Sequence, residues 1–125
     1  MTFEEYARIV DSTLARHWAI ADAQVNTKEL SRIHGVIKGT ITLLDGSYVD
    51  FSEEVFITTN MITKKGDRYQ YLKNNESVFR YDNYPNHPGL RPPFHHKHVS
   101  TRRVALLKEA PKLIDVPEEA LRYMF

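Results

Sequence analysis

The sequence predicts one α+β domain, built from an N-terminal helix, an antiparallel β-meander of about four to five strands and a C-terminal helix. Three observations carry that prediction. Apolar residues recur at helical spacing from Phe3 to Leu14, they switch to strict alternation between Ile33 and Leu43, and Pro117 followed by Glu118 and Glu119 marks a late helix start. With 125 residues, 42% of them hydrophobic and 11% aromatic, the chain can bury a single core and is short for two. No repeat, linker or low-complexity run interrupts it, which favours a compact unit with the helices packed on an antiparallel sheet.

Composition narrows the chemistry. Seventeen Lys and Arg against sixteen Asp and Glu leave a formal charge of +1, so there is no bulk positive field and any nucleic-acid site must be a local patch. The absence of cysteine excludes disulfides, thiolate metal sites and a cysteine nucleophile, leaving histidine and carboxylate chemistry. The first residues are acidic and amphipathic rather than leader-like. No apolar stretch approaches the roughly 18 residues of a membrane span, so the expectation is a cytoplasmic protein with no membrane partner.

In chain order, Thr2 and Glu5 have the spacing of a capping box, and Phe3, Tyr6, Ala7, Val10 and Leu14 form the apolar stripe of a helix running to about Arg16. His17–Leu30 reads as either a helix extension or a first strand, and the strand is favoured. Asn26–Glu29 then reads as a turn. Ile33, Gly35, Ile37, Gly39, Ile41 and Leu43 alternate with polar residues in the clearest strand of the chain. A three-residue loop, Leu44–Gly46, with Gly46 in the left-handed region would set Ile41 opposite Val49 and Thr40 opposite Asp50, keeping apolar residues on one face; a two-residue turn would oppose Ile41 to Asp50.

The next hairpin follows the same logic. With Asn74–Glu76 as its loop, Tyr69 and Tyr71 share a face with Phe79 and Tyr81, while Arg68, Gln70, Arg80 and Asp82 share the other. Ser100–Ala110 holds a short apolar run of undetermined type. In the terminal helix Leu121 and Phe125, one turn apart, are the expected docking residues. His17 and His34 stand alone and are expected to be structural or incidental.

Arg80–His98 gathers four of the six histidines and four of the six prolines. His96 and His98, two apart, point the same way in an extended segment, with His95 opposite; His87 could join them through a fold of the Pro88–Pro93 loop. Two chemistries remain open. His95, His96, His98 and Asp82 form a ligand pool for zinc or another divalent metal. Alternatively the site works without a cofactor: histidines serve as general acid and base, while Arg80, Lys97, Arg68 or Arg91 stabilise charge on a phosphate whose RNA 2′-hydroxyl is the nucleophile. Tyr81, Tyr84 or Phe94 could stack on an unpaired base, although such a ring, Tyr81 above all, is more often an anchor into the core. Asp82 and Asn83 could instead simply end the strand through side-chain turns.

Phe79–Asn83, Asn86–Pro88 and Phe94–His98, together with Leu44–Ser47 and Phe51–Glu53, resemble the TumE family of toxin-antitoxin proteins over roughly Gly35 to Val99. The resemblance matches Arg80, Tyr81, Asp82, Asn83, His87, His95, His96, Lys97 and His98. Departures are local: Asn86 stands where a second histidine is common, and Pro93-Phe94 reverses the usual order. It implies a small prokaryotic toxin that acts on RNA or translation and is held by a cognate antitoxin, typically with a helix-turn-helix. The expected function is therefore a toxin and candidate endoribonuclease. His95, His96 and His98 would act with Asp82 and Arg80 in catalysis, and Lys97, Arg68, Arg91, Tyr81, Asn83 and His87 would contact RNA. The competing reading is a non-catalytic binding module whose histidines hold a metal or fix the loop. A second copy of the chain is a further candidate partner.

Overall fold

The computed structural model describes residues 1–59, 61–83, 96–99, 103–106 and 111–124, with side chains for all of these but His96, Val99 and residues 103–106. Helix α1 (Phe3–Arg16) is followed by strands β1 (Ile20–Ser31), β2 (His34–Leu43), β3 (Tyr48–Thr58), β4 (Met61–Lys73), β5 (Glu76–Asp82), β6 (His96–Val99) and β7 (Arg103–Leu106), then helix α2 (Asp115–Met124). All seven strands pair antiparallel in sequence order, a pure meander. The α+β class and the two terminal helices are as the sequence predicts. The sheet is larger, because β6 forms from the histidine segment and β7 from the apolar run whose type the sequence left undetermined.

Helix α1 begins where Thr2 accepts a hydrogen bond from the Glu5 N–H (3.2 Å) and buries Phe3, Tyr6, Val10 and Leu14, the stripe at helical spacing. Those side chains meet Ile37, Ile41 and Leu43 of β2, Val49, Phe51, Val55 and Ile57 of β3, Tyr69 and Tyr71 of β4, and Phe79 of β5 in one core. Helix α2 docks on the same cluster through Val116, Ala120 and Met124. Leu121 is only partly buried at the edge of that contact, and Phe125 lies outside the described residues. The most deeply buried residues of α2 are thus Val116, Pro117, Ala120 and Met124, with the expected Leu121 packed beside them.

The first hairpin predictions divide. Segment 20–31 is indeed a strand, but Asn26–Glu29 is not a turn: these residues continue β1 and pair with Lys38–Gly35, and the reversal falls at Arg32 and Ile33. Turn-forming residues yield here to a long partner strand that takes up the backbone groups of Asn26 and Lys28. Gly39 is required where β1 crosses it, since a Cβ there would sit 2.0 Å from the Gln24 carbonyl oxygen.

In the second hairpin Ile41 pairs with Val49 and Thr40 with Asp50, and Gly46 has φ 85°. The Leu43 carbonyl accepts from the Gly46 N–H (3.0 Å) and the Leu43 N–H donates to Ser47 (2.8 Å), closing the three-residue loop with its bulge. The β4–β5 connection reaches the expected register by a different route. Asn74 and Asn75, at φ 54° and 62°, make a two-residue turn that pairs Lys73 with Glu76. The remaining extra residue is absorbed as a bulge at Val78, after which Tyr71 opposes Phe79 and Arg68 opposes Asp82.

Candidate functional site

The Val78 bulge sets the phase of β5. Phe79 and Tyr81 face the core, so Arg80 and Asp82 project from the other side of the sheet. β6 then pairs Arg80 with His98, Tyr81 with Lys97 and Asp82 with His96. Directly paired residues in a sheet share a face. The open face therefore receives Arg80, Asp82 and His98, and the helix-covered face receives Tyr81 and Lys97.

On the open face three groups converge. Arg80 Nε lies 2.9 Å from Asp82 Oδ2, Arg80 Nη2 lies 3.0 Å from His98 Nε2, and Asp82 Oδ2 lies 3.6 Å from that same ring nitrogen. A guanidinium has donors only, so in this contact His98 Nε2 is the acceptor. Asp82 is 4% exposed although it is charged, and its burial is tolerable because Arg80 supplies the compensating cation. Arg68 of β4 pairs directly with Asp82, is exposed on the same face, and donates to Gln70 (3.0 Å).

On the helix side Lys97 and Tyr81 both bind the carboxylate of Glu119 from α2, and the Lys97 ammonium lies over the Phe79 and Tyr81 rings (5.3 and 5.1 Å). Burial, then the hydrogen bond and charge of Glu119, push the Tyr81 hydroxyl above its usual range. Tyr81 also packs edge-on against Phe79, which is the anchor role among the two weighed for it. Lys97 and Tyr81 thus tie α2 to the strand pair, on the side of the sheet away from His98.

Among the described residues Asn83 bonds across the sheet to β4. Its side-chain oxygen accepts from the Asp67 N–H (2.9 Å), and its amide donates to the carbonyls of Lys64 (3.5 Å) and Lys65 (3.3 Å). Those residues belong to a β4 bulge, where Glu54 pairs with Gly66 and Val55 with Lys64, leaving Lys65 unpaired in the ladder. The bulge aims Lys64 at the core face. Tyr84, His87, Arg91, Phe94 and His95, and the fold of the Pro88–Pro93 loop, lie outside the described residues; of His96 only the backbone register, opposite Asp82, is described. Among the described residues no group of three His, Asp or Glu side chains is arranged to hold a metal ion.

A second polar cluster was not among the expected site residues. Glu53, fully buried, accepts from the Tyr6 hydroxyl (2.7 Å) and the Tyr69 hydroxyl and pairs with the Lys64 ammonium (2.9 Å), which also donates to the Pro111 carbonyl (2.7 Å). Asp67 is its cross-strand neighbour. Burial, then the Glu53 charge and hydrogen bond, raise both tyrosine hydroxyls, keeping them protonated donors. The signal was present in the alternation Val49, Phe51, Glu53, Val55, Ile57, which puts one carboxylate in core phase. The two lone histidines, expected to be structural or incidental, both make contacts between elements. His17 accepts at Nδ1 from the Ala19 N–H (3.2 Å), which leaves Nε2 to donate to Glu118 (2.6 Å) and join the end of α1 to α2. His34 stacks on Phe56 and meets Glu54 (2.7 Å).

Fold and site together define a two-layer α+β domain whose open sheet face carries a guanidinium, a carboxylate and an imidazole in contact. The chain belongs to the TumE toxin family: the family model, described as Toxin TumE, matches residues 7–124. It is the toxin of a toxin-antitoxin system, which implies a cognate antitoxin. Comparisons with curated proteins and with solved structures gave no match. Among the described residues no helix is long and apolar enough to cross a membrane.

Proposed function

We propose that this toxin cleaves RNA by internal transesterification on the open face around Arg80, Asp82 and His98. The contact of Arg80 with both the imidazole and the carboxylate carries the reading. In the free protein Arg80 occupies His98 Nε2. A substrate phosphate competes for the guanidinium, which prefers the bidentate anion, and draws it off the ring. Nε2 then takes the 2′-hydroxyl proton, the 2′-oxygen attacks phosphorus, and the 5′-oxygen leaves with a proton from a second acid. His96, whose backbone pairs with Asp82, is the nearest candidate for that acid in register, and His95 is its neighbour. Asp82 holds Arg80 and stabilises the imidazolium as it forms. Arg68 extends the cationic surface along the same face. Lys97 and Tyr81 serve the site by fixing β5 and β6 to α2, not by touching RNA.

The test is induction of the chain in a bacterial host without antitoxin, beside His98→Ala and Lys97→Ala variants, followed by cleavage of a defined RNA by the purified proteins with and without chelator. Loss of a general base predicts a fall of about 10²–10⁴-fold in cleavage for His98→Ala. Chelator is expected to have no effect. Intact transcripts on induction of the unaltered chain would overturn the ribonuclease reading. Stoichiometric zinc lost on His98→Ala, with activity lost to chelator, would replace the metal-free mechanism with the metal-holding alternative.

A further inference from the structure

Among the described residues β1 forms one edge of the sheet, and over its twelve residues none is buried, Asn26–Ser31 all being exposed. Such an edge offers a row of main-chain donors and acceptors to another strand. Which residues offer them follows from the ladder. The Leu43 N–H and the Ile33 carbonyl bond towards β3, so odd-numbered β2 residues face β3 and even-numbered ones face β1. Their β1 partners Asp22, Gln24, Asn26 and Lys28 are consumed by β2. Ala23, Val25, Thr27 and Glu29 therefore aim their N–H and C=O groups outward.

We propose that this edge is a homodimer interface, in which β1 of a second copy pairs antiparallel about a two-fold axis at Val25. The occupant is identified by self-complementarity. Pairing about Val25 sets Val25 against Val25 and Ala23 against Thr27, and both are pairs of outward-bonding residues, as an antiparallel ladder requires. On the open face it sets Asp22 against Lys28 of the second copy, twice, and Gln24 against Asn26, twice. Like charges meet nowhere along Asp22–Lys28. The dimer sheet is continuous, with the Arg80–His98 face at its two far ends, and the interface is independent of the chemistry assigned there.

The measurement is mass in solution by sedimentation equilibrium of the full chain, where twice the 14.6 kDa chain mass is expected. Thr27→Pro is the discriminating variant: the Thr27 N–H points away from β2 and the side chain is exposed, so the ring removes a bond only from the dimer. It should give a monomer with an unchanged far-UV spectrum. Asp22→Lys alone should also shift the chain to monomer by opposing two lysines, and Asp22→Lys with Lys28→Asp should restore the dimer. A monomeric unaltered chain, a Thr27→Pro dimer, or a double exchange that stays monomeric would each overturn the proposal. Strand addition by the antitoxin alone is the outcome in the first case if mass rises only on mixing the two.

Discussion

Removing the ammonium from the buried cluster under α1, by Lys64→Met, is expected to be among the most damaging single changes available in this chain. The Glu53 carboxylate has no exposed surface, its cation lies 2.9 Å away with a side chain only 11% exposed, and Asp67 lies opposite it across the strands. Leaving such a charge uncompensated costs about 3–5 kcal/mol, against a total of about 5–15 kcal/mol for a domain of this kind. At an unfolding entropy of about 2.1 cal/mol/K per residue, that is a Tm lower by roughly 11–19 °C for 125 residues. The Pro111 carbonyl also loses its donor, so the segment leading into α2 should loosen with it. Differential scanning calorimetry reads the loss. The double variant Glu53→Gln with Lys64→Met should cost less than Lys64→Met alone, because the Glu53 charge is removed together with its cation and the glutamine oxygen still accepts from a tyrosine. A fall below about 4 °C for Lys64→Met, the scale of a solvent-exposed ion pair, would refute the claim that this cation compensates a desolvated carboxylate.

Two further effects follow from the same geometry. Tyr6, Tyr69 and Tyr81 all have their hydroxyls raised above the unperturbed value, first by burial and then by Glu53 or Glu119. The folded state thus keeps protons that the unfolded chain releases above pH about 10, so stability holds below that pH and falls above it by up to about 1.4 kcal/mol per pH unit for each tyrosine; urea midpoints between pH 9 and 11 should show it, less steeply in Tyr69→Phe, and a flat profile would count against the buried hydroxyls. Asn83→Ala strips the buried Asp67 N–H of its acceptor at a cost of about 1–3 kcal/mol, and hydrogen exchange should report a faster Asp67 amide.

How far the sequence could be read depended on the range of the interaction. The Thr2 cap, the α1 stripe and the Leu44–Gly46 loop are local or depend on phase alone, and phase is visible in a period of two or 3.6. The alternation in β4 and β5 likewise sorts Arg68, Arg80 and Asp82 from the tyrosines. It could not show which partners Lys97 and His98 would meet on their opposite faces, because that requires knowing that β6 pairs with β5 at Tyr81. Asn26–Glu29 misled for a related reason: their turn propensity is a local preference, and a ten-residue neighbour strand overrode it.

By itself, then, the sequence determined the α+β class, the two helices, the hairpin phases and the family motif, all of which are set by contacts between near neighbours along the chain or by composition. Only the tertiary structure decided which charged groups meet. Glu119 reaching Lys97, Lys64 turned inward by a bulge onto Glu53, and Asn83 bridging to Asp67 join residues many positions apart, and no periodicity records where a strand finds its partner. The contact between Arg80 and His98 belongs to that second kind, since it exists because seven strands fold back on one another in order.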